Sequence, residues 1–331
     1  MVNIARLFFK TPFVIVLLLG IVWSAAALYF DSPTQGNWPL GFAVGFFLSA
    51  LLITFLARSF LRAIVAITSL CLLVALWWST IMPSNQRPWI PDVENVASAV
   101  VEGDKLTIRN VRNFSYTSET DFTPQWETRN YDLSKITGLD MYFSYWSGPT
   151  IAHTILSWEF DHRDHLAISI ETRREVGEEY SAVKGFFRQF EIYYVVADER
   201  DLIRLRTNFR KEQVYLYRLQ VSPELARHML LDYIDTINGL AVKPVWYNAL
   251  TQNCTTTIRQ HSAHLGYAGA FNWRIFANGY LDQLLYQRQL INNSLPFSQL
   301  REASMISTRG IEAQETDFSS AIRRGLPGIV R

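Results

Sequence analysis

Residues 148–160 read GPTIAHTILSWEF, and the fold of the larger part of the chain turns on them. A Gly-Pro turn leads into a run of β-branched and aromatic residues, the composition of a strand. Two runs of the same kind follow, HLAISIETR (165–173) and FFRQFEIYYVVAD (186–198), and the three together predict one antiparallel sheet. Upstream, ASAVVEGDKLTIRNVRNFSY (97–116) holds two β-rich halves around a hairpin turned at Gly103-Asp104. Downstream, ERDLIRLRTNFR (199–210) has helical spacing and EQVYLYRLQ (212–220) alternates as a strand. SPELARHMLLDYIDTING (222–239) reads as a helix with Ser222 as N-cap, Pro223 at the first helical position and Gly239 as C-terminal cap. In TQNCTTTIRQH (251–261), Asn253 is a good N-cap, which places Cys254 in a first helical turn and leaves Gly266 to end the helix. Residues 267–331 read as further helices and a mixed tail. Helices and an antiparallel sheet without a repeat make this part α+β.

The remaining quarter has another composition. Arg6, Lys10, Asp31, Arg58 and Arg62 are the only charged residues among residues 1–82, although the chain carries 31 Lys and Arg and 30 Asp and Glu. Residues 11–30, 38–57 and 63–82 are uncharged stretches of about the 20 residues that a membrane-spanning helix needs. Arg6 and Lys10 precede the first span, and Arg58 and Arg62 flank the turn between the second and third, so both basic clusters are expected on the cytoplasmic side. The loop DSPTQGN (31–37) and everything beyond Met82 then lie outside, in the periplasm of a cell that has one. Tyr29, Trp38, Trp77 and Trp78 fall near the outer span ends, where an aromatic belt sits. The competing reading of the first span is a signal peptide cleaved after Ala25-x-Ala27, against which its long apolar run counts. Either reading exports the second part. The expected division is thus a three-helix transmembrane region, 1–82, and an extracytoplasmic domain, 83–331, joined through the polar linker PSNQRPWIPDVE (83–94). A net charge of +1 leaves no basic excess to suggest nucleic acid.

Cys254 is the only cysteine of the exported part, and Cys71 lies inside the third span, so no disulfide is expected. A thiol at a helix N-terminus feels unpaired N–H groups and the positive end of the helix dipole, which favour the thiolate. A nucleophile of this kind needs a base, and the base needs an orienting group. His261 and His264 ride the same helix, but His261 lies about 10 Å along its axis from Cys254, too far to serve. His162 and His165 flank a turn, where histidine is usually solvated, and His228 sits on a charged helix face. His153, at the start of a strand, is the workable base. In AISIETR, Ser169 and Glu171 point to one face and Ile168 and Ile170 to the other, so Glu171 is the chosen third member, with Glu159 and Asp161 behind it.

The plain readings stand beside these. A lone cysteine is most often a small buried hydrophobe, and a strand histidine is more often packed or solvated than catalytic. Glu178 and Glu179 read as a solvated turn. His-Glu-x-x-His, Cys-x-x-Cys, Gly-x-Ser-x-Gly and phosphate-binding glycine loops are all absent from the sequence, so no metal or cofactor is expected.

Four motifs in order, GPTIAHTILSWEF (148–160), LAISIETRREVGEEYS (166–181), GFFRQFEIYYVVADERD (185–201) and VWYNALTQNCTTTI (245–258), resemble the family of the Lnb N-terminal periplasmic domain. The resemblance covers most of residues 85 to about 300, and the family is named for a lipoprotein N-acyltransferase. A strand histidine followed far downstream by Asn-Cys opening a helix is also similar to the circularly permuted papain-like fold of NlpC-type hydrolases and lecithin:retinol acyltransferase. The resemblance implies Cys254 as nucleophile and His153 as base; Glu171 fits the matched motif as third member.

Three functions compete. The first is a membrane-anchored thiol acyltransferase that moves an acyl chain from a phospholipid or lipoprotein ester through a Cys254 thioester to an amine such as a lipoprotein N-terminus. Its oxyanion would meet the Cys254 N–H and the Gln252 or Asn253 side chain. The second is a cysteine amidase or peptidase acting on peptidoglycan or peptides, and the third a non-catalytic, membrane-tethered binding module. Trp146, Trp158, Phe186, Phe187 and Trp246 are expected to supply an acyl groove where they are not core.

Overall fold

The structure is a computed structural model that describes residues 4–34 and 36–329, with the backbone alone over 4–10. The side chains of Arg6 and Lys10, on which the orientation of the first span partly rests, lie outside the described residues. The chain divides into two compact units, Met1–Ser84 with Ser181–Phe190, and Asn85–Tyr180 with Glu191–Arg331.

The first unit is built on three helices, α1 (Ile4–Phe30), α2 (Trp38–Leu56) and α3 (Phe60–Ser79). Within them Thr11–Phe30, Trp38–Leu56 and Phe60–Ser79 are each long and apolar enough to cross a membrane. The third begins three residues before the expected position 63. Ser59 caps it by accepting the Arg62 N–H at 3.4 Å, so Arg62 lies in the first helical turn instead of the connecting loop. Outward side chains such as Phe13, Leu19, Phe55 and Leu73 are apolar and exposed, whereas Ser24, Ala27 and Ala50 are buried, which lets helices approach closely without a water-driven core. Ser181–Phe190 belongs to this unit: Phe187 packs on Phe30 with ring centroids 4.9 Å apart. Gln189 donates to the Phe30 carbonyl (2.8 Å) and to Asp31 (2.7 Å), and the Trp78 indole donates to the other Asp31 oxygen (2.6 Å). These contacts correct the expectation that FFRQF opens a strand.

The second unit runs β1 (Ser98–Glu102), β2 (Lys105–Arg112), β3 (Ser115–Tyr116), β4 (Phe122–Thr123), β5 (Trp126–Asp132), β6 (Ile136–Tyr145), β7 (His153–Phe160), β8 (Asp164–Arg173) and β9 (Glu191–Ala197). It continues with α4 (Glu199–Arg204), β10 (Gln213–Arg218), α5 (Pro223–Val242), α6 (Cys254–His264), α7 (Leu281–Gln287), α8 (Phe297–Ala303), α9 (Ser307–Glu312) and α10 (Phe318–Ile322). The result is α+β, with an eight-stranded sheet in the order β1-β2-β9-β8-β7-β6-β10 and β5 added on β2. Pairing is antiparallel as expected, apart from one parallel meeting of β2 and β9 at Arg112 and Ala197. The β1–β2 hairpin turns at Gly103-Asp104, with Gly103 at φ +62° and Glu102 opposite Lys105.

The middle strands are covered on both faces, and this is why their sequences run apolar with little alternation. On one face Ile155, Ala167, Val195 and Leu216 pack with Leu202 and Ile203 of α4 and with Phe318 and Ile322 of α10. On the other, Trp158 donates to the Ala226 carbonyl of α5 (2.8 Å) and meets Tyr233 edge to face. Helix α5 passes through Gly239 and ends at Val242, correcting the expected cap. Lys243, its C-cap, precedes Pro244, and a residue before proline is held out of the helical region. ERDLIRLRTNFR is helical, its second half as a π-turn over Leu205–Phe209.

A buried ionic knot ties the C-terminal helices to the sheet. Arg323 lies 2.7 Å from Asp140 of β6 and 2.6 Å from Glu199 of α4, and Glu199 also accepts from Tyr142 (2.7 Å) and Ser157 (2.5 Å). Removing one partner of such a group strands the others without compensation. Arg323→Ala is therefore expected to cost about 3–5 kcal/mol, measured as a fall in the unfolding temperature of the purified chain followed by tryptophan fluorescence. An unfolding temperature equal to that of the wild type would contradict this role.

Candidate active site

Two starts meet here, that of β7 at His153 and that of α6 at Cys254. Asn253 begins α6 as its sequence suggests: Oδ1 accepts the N–H groups of Thr255 (3.0 Å) and Thr256 (2.9 Å), and Thr256 Oγ1 accepts the Asn253 N–H (3.0 Å). Its amide nitrogen donates to the Ala249 carbonyl (2.8 Å), so the whole Asn253 side chain is occupied in shaping the turn. The Thr257 N–H bonds the Asn253 carbonyl. Among the described residues the Cys254 N–H is then the first-turn donor without an acceptor. Gln252 is partly exposed beside it, its own N–H turned back to the Asn248 carbonyl (2.9 Å).

Cys254 Sγ lies 3.8 Å from Thr255 Oγ1, and the groups that act most on its thiol are the His153 imidazole and Thr154. Burial disfavours its thiolate, but the charge of His153 and these polar neighbours outweigh burial and bring the thiol pKa from 9.0 down to about 6. The reciprocal effect acts on His153: burial and the Arg206 charge oppose protonation, the Cys254 thiolate and Glu171 favour it more strongly, and its pKa rises. Thiolate and imidazolium stabilise one another.

Behind the imidazole the strand register supplies the rest. Ile155 pairs with Ser169, and continuing that register sets His153 opposite Glu171. His153 Nε2 lies 2.6 Å from Ser169 Oγ and 3.6 Å from Glu171 Oε1, and Ser169 donates to the same Glu171 oxygen at 2.8 Å. Arg206, from the π-turn, donates to Glu171 (2.9 Å) and reaches Glu212 (3.3 Å), which accepts from Ser144. Burial works against the Glu171 carboxylate, yet the neighbouring His153 and the Arg206 charge hold its pKa well below the ordinary value. The line from Cys254 through His153 to an ionised Glu171 can move one proton between a thiol and an imidazole of fixed orientation.

Other sequence candidates fall elsewhere. Glu159 and Asp161 lie at the far end of β7, Glu159 bound to Arg218 (2.8 Å) and Asp161 in the turn at φ +52°. His162 is exposed in that turn as expected. His165 is not solvated: β8 already includes it, and its side chain is buried 3.6 Å from Glu159. His228 is exposed, and Glu178 and Glu179 lie in a loop turn. His261 is buried, its Nδ1 2.5 Å from Asp232 and its Nε2 2.7 Å from Tyr194 Oη. Asp232, His261 and His264 offer ligand atoms within 4.8 Å of one another, but hydrogen bonds already occupy both His261 nitrogens. Of the aromatics expected to form a groove, Trp158 is core and Phe187 packs with the helical unit, while Trp146 and Phe186 are exposed.

Asn278 escaped the sequence reading. Its amide nitrogen donates to the Ala152 carbonyl (2.6 Å) and to Thr255 Oγ1 (2.6 Å), and its oxygen accepts the Ala152 N–H (2.8 Å). It thus ties the residue before His153 to the residue after Cys254. Gly279 donates to the Thr150 carbonyl (3.0 Å), and a Cβ there would run into the Pro149 carbonyl oxygen. In sequence, Asn278-Gly279 is an ordinary loop pair. Its partner Ala152, the residue before β7, lies 126 residues upstream, beyond the reach of any local pattern.

Residues 122–274 match the Lnb N-terminal periplasmic domain. The match is narrower than the span over which the motifs resemble that family, yet it contains His153, Ser169, Glu171, Arg206 and Cys254 and stops just short of Asn278. No curated protein and no solved structure matches the chain.

Asn278→Asp removes both donated bonds while keeping size. It is expected to lower stability by about 1–3 kcal/mol and to slow alkylation of Cys254 at neutral pH, read by thermal unfolding and by peptide mass. Alkylation at the wild-type rate in a destabilised variant would show that Asn278 holds the fold but not the thiol.

Proposed function

We propose that the protein is a membrane-anchored, thiol-dependent acyltransferase. On this reading residues 1–82 anchor a domain, 83–331, at the outer face of a bacterial cytoplasmic membrane, with the chain's start on the cytoplasmic side. His153 on a strand and Cys254 on a later helix correspond to the permuted papain-like arrangement. The support is the short path from Cys254 to His153 to Glu171 inside the span matched to the Lnb domain, in a chain with three helices of membrane-crossing length.

The thiolate attacks the ester carbonyl of a phospholipid or lipoprotein, and the carbonyl oxygen takes the negative charge. The Cys254 N–H meets that oxyanion, with the Gln252 side chain as second donor; the Asn253 amide is already engaged in the cap. As the tetrahedral centre collapses, the carbon–oxygen ester bond breaks and the leaving alkoxide takes the proton from His153. The acyl group is then held as a Cys254 thioester. An amine, such as a lipoprotein N-terminus, enters next: its nitrogen attacks the thioester, His153 takes its proton, and the thiolate leaves. Glu171 and Ser169 keep the imidazole oriented through both halves, and Arg206 helps keep Glu171 ionised. The cycle is redox-neutral.

The test is intact-mass and peptide-mass analysis of the full chain in lipid nanodiscs containing a phospholipid with a labelled acyl chain. A hydroxylamine-labile acyl adduct on Cys254 is expected in the wild type and absent in Cys254→Ala. Adding a peptide with a free lipidated N-terminal cysteine should move the label to its amine. An adduct at undiminished level in Cys254→Ala would refute Cys254 as acyl carrier, and cleavage of peptidoglycan stem peptides without an adduct would replace acyl transfer by amide hydrolysis.

A further inference from the structure

Between Asp235 and Glu302 the sequence holds a single carboxylate, Asp282, which is buried and faces Arg301 at 3.5 Å. The same stretch carries Lys243, Arg259, Arg274 and Arg288. The stretch itself therefore contributes net positive charge and no exposed carboxylate side chain, and the neighbouring Asp232 is engaged by His261 and His264. On this stretch stand Tyr267 (66% exposed), Phe271 (63%), Trp273 (56%) and Phe276 (52%). Scattered exposed hydrophobes are ordinary, but four aromatics within ten residues form a patch that calls for a partner.

The loop bearing them is held in shape. Arg259 donates to the Gly269 carbonyl (3.2 Å) and Arg288 to the Ala270 carbonyl (2.7 Å), and Gly269 adopts φ +61° beside the Arg288 guanidinium. Asn272 caps the turn by accepting the Arg274 N–H (3.0 Å), Arg274 lies over Trp273 at 5.2 Å, and the Phe271 and Phe276 rings sit 5.6 Å apart. Guanidinium groups thus stand at the base of the exposed rings. Aromatic rings with adjacent cations match the region where bilayer headgroups meet acyl chains: the rings enter the boundary and the guanidiniums meet phosphate.

We infer that the 267–276 loop is an interfacial anchor that seats in the headgroup region of an anionic bilayer. Three features favour a bilayer over a protein as its occupant: the excess of Lys and Arg over carboxylates within the stretch, the mixture of Tyr, Trp and Arg, and three membrane-length helices in the same chain. Phe276 lies two residues before Asn278, which bonds both the entry to β7 and the start of α6, so the anchor borders the thiol site. The inference requires no particular reaction at Cys254, and its test reads depth instead of chemistry.

The full chain, in a Cys71→Ser, Cys254→Ser background, is labelled with bimane at Phe271→Cys or, as control, at Arg163→Cys. Arg163 is exposed in the β7–β8 turn, at the end of β7 opposite His153. Unchanged thermal unfolding of both proteins establishes that they are folded. In phosphatidylglycerol nanodiscs, doxyl-labelled lipid is expected to quench the Phe271→Cys label several-fold more than the control. That excess should shrink in phosphatidylcholine and in high salt, since charge contributes to seating. Equal quenching of both labels in phosphatidylglycerol would overturn the inference. So would a Phe271→Cys label that lipid does not quench but that is shielded from iodide only in native membranes, which would indicate a protein partner.

Discussion

The candidate site depends most on the electrostatic coupling of the Cys254 thiol to the His153 imidazole, for which two segments a hundred residues apart must each start at the right place. Strand β7 delivers His153 as its first residue, and α6 delivers Cys254 as its own. The Asn253 capping box fixes where the helix begins, and Asn278 fixes that beginning against the strand. Shifting either start by one residue would turn the side chain away, since strand neighbours alternate faces and helix neighbours are about 100° apart. The thiol also leaves water without losing its charge, because an imidazolium and hydrogen bonds replace the lost solvation.

Behind this pair the chain spends buried charge to fix geometry. His153 and the facing Arg206 together favour the ionised form of Glu171, and Arg206 is itself placed by the π-turn that follows α4 and by Glu212. A π-turn shifts the helical register locally, a recurrent feature of functional sites. A neutral carboxyl at Glu171 would not favour the protonated imidazole, so Arg206 acts on His153 in two opposed ways: directly it disfavours the imidazolium, and through Glu171 it preserves the group that favours it.

Local features were legible in the sequence, and long-range ones were not. Apolar length marked the three helices, β-branched and aromatic composition marked β7 and β8, and alternation marked β10. Asn253 marked the start of α6, and the parity of AISIETR put Glu171 on the face of His153 because register is a local rule once two strands pair. The failures share one physical cause. FFRQF has strand composition, but Phe187 and Gln189 find better partners on Phe30 and Asp31. His165 reads as a turn residue until the hairpin closes one position earlier, and Asn278 carries no signal because its partners are distant in sequence. Trp158, expected in a groove, is core, whereas Trp146 and Phe186 are exposed and four further exposed aromatics stand at 267–276.

The central claim is that His153 makes Cys254 a thiolate near neutral pH. It is tested most directly by the pH dependence of Cys254 alkylation by iodoacetamide, followed by peptide mass so that Cys71 does not interfere. Because the thiol pKa lies below its ordinary 9.0, the reactive form fills in as pH rises through about 6, and the wild-type rate should reach half its plateau there. In His153→Ala burial acts without the opposing charge, so the midpoint should move to alkaline pH, to 9.0 or above. The same midpoint in both proteins would contradict the account.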